Sequence, residues 1–183
     1  MTVPADPGRR KFLVAGAAAV ATGMAASPAF AIVGRKPFRS VALDNLHTGE
    51  KLRVDYWVNG RYLRGALHRV NYNLRDFRTG AVHVIDPQLL DLLDSLRRLM
   101  RTREPFQVVS GYRSPETNAM LREESSAVAV NSLHMQGMAI DIRMPGRSLH
   151  YLHAAAVHLR AGGVGYYPHS GFIHVDVGRV RYW

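Results

Sequence analysis

The residues able to do chemistry in this chain concentrate in two short stretches. In Ser132-Leu133-His134-Met135-Gln136-Gly137-Met138-Ala139-Ile140-Asp141-Ile142-Arg143, a histidine and an aspartate stand seven residues apart across a glycine. Near the C-terminus, Phe172-Ile173-His174-Val175-Asp176-Val177 carries a second histidine and a second aspartate. Two imidazoles and one carboxylate suit Zn²⁺ and leave a position open for water. The chain has no cysteine, so any metal site must use His, Asp or Glu. Disulfides, thiolate zinc sites, cysteine nucleophiles and a lipoprotein anchor are excluded on the same ground.

Both stretches read as strands, and strand parity sorts their side chains. Successive residues point to opposite faces. In Ala139–Arg143, Ile140 and Ile142 share one face and Asp141 takes the other. In Ile173–Val177, the aliphatic Ile173, Val175 and Val177 share a face, and His174 and Asp176 lie opposite. If the two strands pair in one sheet, Asp141 and His174 converge. Gly137 lets the loop carrying His134 pass close to the strand with no side chain between.

The elements that must position these groups follow from local pattern. Residues 38–64 read as β-structure, with turns at Thr48-Gly49 and Asn59-Gly60 and a period-2 strand from Lys51. Residues 65–80 read as a helix stopped by Thr79-Gly80. Asp86-Pro87 opens a second helix whose leucines form a core-facing stripe. Phe106–Ser110 is a short buried strand, followed by a loop with Arg113 and a helix opened by Ser114-Pro115. Ser125–Leu133 reads as a loop. Ser148 caps a helix that ends at Gly162-Gly163. A terminal hairpin then turns through Pro168-His169-Ser170-Gly171. His150, His153 and His158 lie on one plain amphipathic helix, and His47, His68 and His83 show no ligand spacing.

The first 31 residues have the layout of a signal peptide. A basic segment with Arg9, Arg10 and Lys11 precedes an alanine-rich apolar run that ends in Ala29-Phe30-Ala31. The arginine pair before Phe12 and Leu13 is similar to a twin-arginine signal, which points to export of a folded protein to the periplasm. Residues 32–183 are then long enough for one domain with a real core and hold no membrane span. They keep 21 basic against 13 acidic side chains, scattered rather than clustered. A basic surface favours anionic partners such as a wall polymer, and export removes nucleic acid from the choice.

The pattern Ser132-x-His134-x-x-Gly137-x-Ala139-x-Asp141 resembles the signature of the zinc D,D-peptidase family. More distant relatives are lysostaphin-type endopeptidases and hedgehog zinc domains. Within that group the chain looks most like a branch of twin-arginine-exported murein endopeptidases. The likeness runs from about Asn45 to Trp183 and includes His47-Thr-Gly-Glu50, Ser110-Gly-Tyr-Arg-Ser-Pro115, Gly162-Gly-Val-Gly-Tyr-Tyr-Pro168 and His174-Val-Asp176.

The resemblance implies an α+β fold, a small antiparallel sheet flanked by helices with zinc on the open sheet face. It implies zinc ligation by His134, Asp141 and His174, and a role for Arg113 in holding a substrate carboxylate or the oxyanion. Ser132 either hydrogen-bonds substrate or shapes its loop. The general base departs from better-known relatives, because Gly171 and Phe172 occupy the positions where those carry a glutamate or a histidine. Asp176 and His169 are the two candidates, with Asp176 alternatively orienting a ligand imidazole. The implied activity is zinc-dependent hydrolysis of peptide crosslinks in peptidoglycan by a monomeric enzyme. A D,D-carboxypeptidase or dipeptidase and a non-catalytic zinc-containing wall-binding module are the rivals.

Overall fold

The computed structural model describes residues 37–124 and 128–183. The expected leader, residues 1–31, and positions 125–127 of the expected loop lie outside the described residues.

Eight strands form one sheet in the order β3-β2-β1-β4-β5-β7-β6-β8. Strands β1 (Phe38–Asn45) and β2 (Lys51–Val58) pair as an antiparallel hairpin, and β3 (Arg61–Tyr62) folds back on β2. Asn59 and Gly60 both take positive φ, 47° and 87°, as the Asn-Gly hairpin signal requires. Strand β4 (Phe106–Ser110) runs parallel to β1 and antiparallel to β5 (Ala139–Arg143). Strands β5, β7 (Phe172–Asp176) and β6 (Gly163–Tyr167) are antiparallel neighbours, and β8 (Arg181–Tyr182) lies parallel to β6. The α+β class is as expected, but the sheet is larger than expected and mixed. Parallel partners must be joined by long crossovers, so no local turn in the sequence announces them.

One face of the sheet makes the core. Leu43, Phe106, Val108, Ile140, Ile142, Ile173 and Val175 are all buried there. Helix α2 (Pro87–Leu99) and helix α4 (Leu149–Leu159) pack on that core and against each other. Helix α2 begins as its sequence dictates, with the Asp86 carboxylate accepting from Gln88 N–H, and it buries Leu89, Leu90, Leu92, Leu93 and Leu96. Each fully buried leucine contributes roughly 1.5–3 kcal/mol relative to exposure. Among the described residues no helix is long and apolar enough to cross a membrane.

Two helix ends differ from the sequence expectation. Helix α1 (Arg64–Asn73) stops about seven residues early. The Asp76 side chain accepts from the N–H groups of Arg78 and Thr79, and Gly80 N–H donates to the Asp76 carbonyl. An aspartate that caps the turn itself outcompetes helical bonding there. Helix α4 ends at Leu159, with Arg160 in the left-handed region at φ 50°, and Gly163 already belongs to β6. Helix α3 (Pro115–Glu124) starts at Ser114, whose hydroxyl accepts from Thr117 N–H.

Candidate metal centre

The open face of the sheet holds the candidate site. Asp141 lies directly opposite His174 in the β5–β7 ladder, so parity puts both side chains on the same face. His134 comes from above that face, on a 3-10 turn spanning Leu133–Gln136 that lies between the expected loop and the expected strand. Ser132 Oγ starts this turn by accepting from His134 N–H, and Gly137 ends it at φ 67°. A Cβ at Gly137 would collide with the Val84 carbonyl, so only glycine lets the turn sit this close to the 81–86 segment.

Three acceptor atoms converge. His134 Nε2 is 3.2 Å from His174 Nδ1 and 3.3 Å from Asp141 Oδ1, and the last two are 2.9 Å apart. Ligands about 2.0–2.1 Å from a tetrahedral ion stand about 3.3–3.4 Å from each other, so the triangle fits a small divalent cation with little adjustment. The outward ring nitrogens explain which atoms face inward. His134 Nδ1 lies 2.8 Å from the Gly111 carbonyl, an acceptor, so that nitrogen carries the proton. His174 Nε2 lies 3.0 Å from Asp176 Oδ2, likewise an acceptor. In the neutral rings, two nitrogen lone pairs and a carboxylate oxygen therefore point at one another with no hydrogen between them. A cation resolves that conflict, and this is the physical reason the donor set fits a metal.

The electrostatics agree. Burial lowers the pKa of His174, but its bonds to Asp141 and Asp176 outweigh this and raise it from 6.5 to about 9. Burial raises that of Asp141, and His134 and His174 together overcome it and hold the carboxyl well below the usual range. The site thus prefers one extra positive charge between two carboxylates.

Around the triad, a cleft of ≈ 460 Å³ is lined by Arg113, Ser132, Tyr167, Phe172, Arg181 and Trp183, among others. Arg113 approaches the triad at 3.8 Å from Asp141 Oδ2, beyond hydrogen-bond range. Its other contacts are long, 3.4 Å to Asn118 Oδ1 and 3.4 Å to Ser110 Oγ, and its Nε has no partner among the described residues. Burial lowers its pKa against the pull of Asp141. The Arg113 loop is itself fixed from below. Tyr112 N–H donates to the Leu74 carbonyl at 2.8 Å, and Ser114 N–H to Asp76 Oδ2 at 2.7 Å.

The two candidate bases occupy different places. Asp176 is fully buried behind His174. Its Oδ1 accepts from Gly163 N–H, Gly178 N–H and Arg181 Nη1, and its Oδ2 from Arg181 Nη2 and His174. His169 is exposed in the β6–β7 turn and is not among the residues that line the cleft. Tyr167, Arg181 and Trp183 were not singled out by sequence reasoning. Parity would have found Tyr167, which shares a face with Gly165, the residue opposite His174. Arg181 and Trp183 had no such signal.

A family model described as peptidoglycan L,D-endopeptidase MepK, a peptidase family, matches residues 34–183. The chain belongs to this family. It is 42% identical over 178 residues to the peptidoglycan L,D-endopeptidase MepK of Escherichia coli strain K12, covering 97% of this chain and 98% of that protein. The same identity and coverage relate it to the MepK of Shigella flexneri. A probable peptidoglycan L,D-endopeptidase MepK of Haemophilus influenzae is 38% identical over 179 residues, 97% of this chain and 96% of the relative. No solved structure matches the chain.

Proposed function

We propose that this chain is a zinc-dependent murein endopeptidase that hydrolyses L,D peptide bonds in the crosslinks of peptidoglycan. The observation that carries the reading is the convergence of His134 Nε2, Asp141 Oδ1 and His174 Nδ1 at 2.9–3.3 Å beside an open cleft. Family membership supports the substrate class, and the relatives' name supports the bond type. Direct links between two diaminopimelate residues belong to that bond type.

His134, Asp141 and His174 would hold the metal. Zinc bound there would supply Lewis acidity and acidify water to a pKa of about 7. The chain's own residues do the rest. Arg113, charged and poorly satisfied, binds substrate: its free donors suit either a stem-peptide carboxylate or the developing oxyanion. Ser132 holds the 3-10 turn in place from the cleft wall. Asp176 orients His174, because it is fully buried and both of its carboxylate oxygens are taken up by protein partners. His169 has no part in the chemistry in this reading. The substrate lies outside the cytoplasm, so the enzyme works in the periplasm after export by the twin-arginine route, as a monomer.

Digestion of purified sacculi with and without a chelator tests the reading, with products identified by mass. Loss of crosslinked dimers that stops on chelation and returns with zinc is the expected result. Release of free D-alanine with dimers intact would favour a carboxypeptidase. Binding to sacculi with no fragments released would make the chain a wall-binding module.

A further inference from the structure

We propose that Tyr167 is a further catalytic residue, whose hydroxyl, held by the Trp183 indole, donates a hydrogen bond to the carbonyl oxygen of the peptide being cut. This rests on the endopeptidase reading above, since the donor has a task only if a peptide lies in the cleft.

Register places the residue. In the β6–β7 ladder Gly165 lies opposite His174, and Tyr167 lies opposite Phe172. Residues paired in this way share a face, and alternate residues along a strand do so as well. Tyr167 therefore stands on the same face as His174 and Asp141, one strand beyond His174, and it lines the same cleft.

The hydroxyl is positioned and left free to donate. Trp183 Nε1 donates to the Tyr167 hydroxyl oxygen at 2.8 Å. An indole N–H can only donate, so this bond uses a lone pair of the phenol and not its hydrogen. Among the described residues that hydrogen has no acceptor. The ring cannot wander: it stacks on Phe172 with centroids 4.8 Å apart. Trp183 is fixed in turn. Its backbone N–H donates to the Val164 carbonyl and its backbone carbonyl accepts from Tyr166 N–H, and its ring centroid stands 5.3 Å from that of His174.

The sequence makes room for this pair. A Cβ at Gly165 would lie 2.7 Å from Trp183 Cε2 and Nε1 and 2.8 Å from Tyr167 Cε2. A side chain there would displace both rings, so the glycine opposite a metal-ligand histidine clears their place. Ser132, the other neutral hydroxyl lining the cleft, likewise accepts one bond, from His134 N–H at the start of the 3-10 turn. A neutral donor held by a second ring, beside the charged Arg113, meets the requirement for stabilising an oxygen that gains charge only as the reaction proceeds.

Tyr167→Phe tests this, because it keeps the stacked ring and removes one oxygen. The zinc-loaded wild type and variant are compared on purified crosslinked muropeptides, with metal content measured in both. The expected result is full metal content, a kcat lower by about 10²-fold and a KM little changed. A second readout does not depend on turnover. Affinity for a phosphinate isostere of the crosslink peptide, measured by calorimetry, should fall by a similar factor in the variant. Trp183→Phe, which keeps a ring and loses the indole N–H, should show a smaller loss in both readouts; it decides the matter if Tyr167→Phe fails to fold or to hold zinc. Wild-type kcat and wild-type phosphinate affinity in the variants would overturn the proposal, as would a rise in KM alone. A wild type that digests no muropeptide would overturn the endopeptidase reading and this inference with it.

Discussion

Asp176→Asn separates an orienting role from a proton-accepting one, and the structure predicts its effect atom by atom. Oδ1 of Asp176 faces three donors, Gly163 N–H, Gly178 N–H and Arg181 Nη1, so the amide oxygen of the asparagine takes that position. The amide nitrogen then stands where Oδ2 was, 3.0 Å from His174 Nε2, and Arg181 Nη2, 2.7 Å from that position, loses its acceptor. The amide donates to His174 Nε2 and drives the imidazole proton to Nδ1, the atom that faces Asp141 and His134. A metal bound as proposed would lose a lone pair unless the ring changed tautomer at a cost. Loss of such an orienting partner costs about 10–100-fold in metal affinity. That corresponds to about 1.4–2.7 kcal/mol.

The fold should survive, since the three donors to Oδ1 keep an acceptor. Asp176→Ala is a harsher change, because it strands two backbone N–H groups and Arg181 at about 1–3 kcal/mol for each buried donor left unpaired. Competition against a chromophoric chelator measures zinc affinity of the Asn variant, alongside muropeptide digestion. Zinc bound as tightly as in the wild type, with activity lost, would refute the orienting role and make Asp176 the proton acceptor.

Three further outcomes follow from the same geometry. His134→Ala removes one corner of the ligand triangle and should abolish both metal content, by elemental analysis, and activity. Gly137→Ala should destabilise the protein by at least about 1 kcal/mol in urea unfolding, because φ is 67° and the Val84 carbonyl occupies the Cβ position. Asp76 contributes to acid stability. Burial raises its pKa, but donors from Thr117, Ser114 and Arg78 outweigh this and lower it from 3.8 to about 2. A depressed carboxylate contributes stability that is present above 3.8 and is lost as pH falls through 2, here about 2 kcal/mol. Asp76→Asn should remove that slope from urea unfolding measured between pH 5 and 2.

The site was more legible in the sequence than the turn chemistry that supports it. Parity set Asp141 and His174 each opposite the aliphatics of its own strand, because a strand's period of two does not depend on distant residues, and the pairing of β5 with β7 then brought them to one face. The helix from Pro87 and the Asn59-Gly60 turn were equally local. Residues 74–80 were misread because Leu74 and Phe77 keep helical spacing, while the Asp76 side chain decides the backbone. For Asp176 the sequence left two roles open, base or orienting partner, for a different reason. Its partners lie thirteen residues before it and five after it, at Gly163 and Arg181, and only folding brings them together. His169 is near His174 in sequence, yet it sits in a turn beyond the strand ends.

The layout also explains why one of the three candidate ligands comes from outside the sheet. Opposite residues on one face of a sheet have Cβ atoms about 4.5–5.5 Å apart, a spacing that lets two adjacent strands share a cation. Asp141 and His174 stand opposite each other in this way. A third strand in the row would stand nearly twice as far from the first, and three ligands in line cannot surround an ion. His134 therefore arrives from above, on a turn whose entry is fixed by Ser132 and whose exit requires Gly137. The next strand over, β6, is too far from Asp141 to ligate but at the right remove to touch a substrate, and there the chain places Tyr167. In the proposed function the strand order β4-β5-β7-β6 thus divides the labour, with the candidate metal-binding side chains on the central pair and the candidate substrate-facing ones from the β4 loop and β6 on either side.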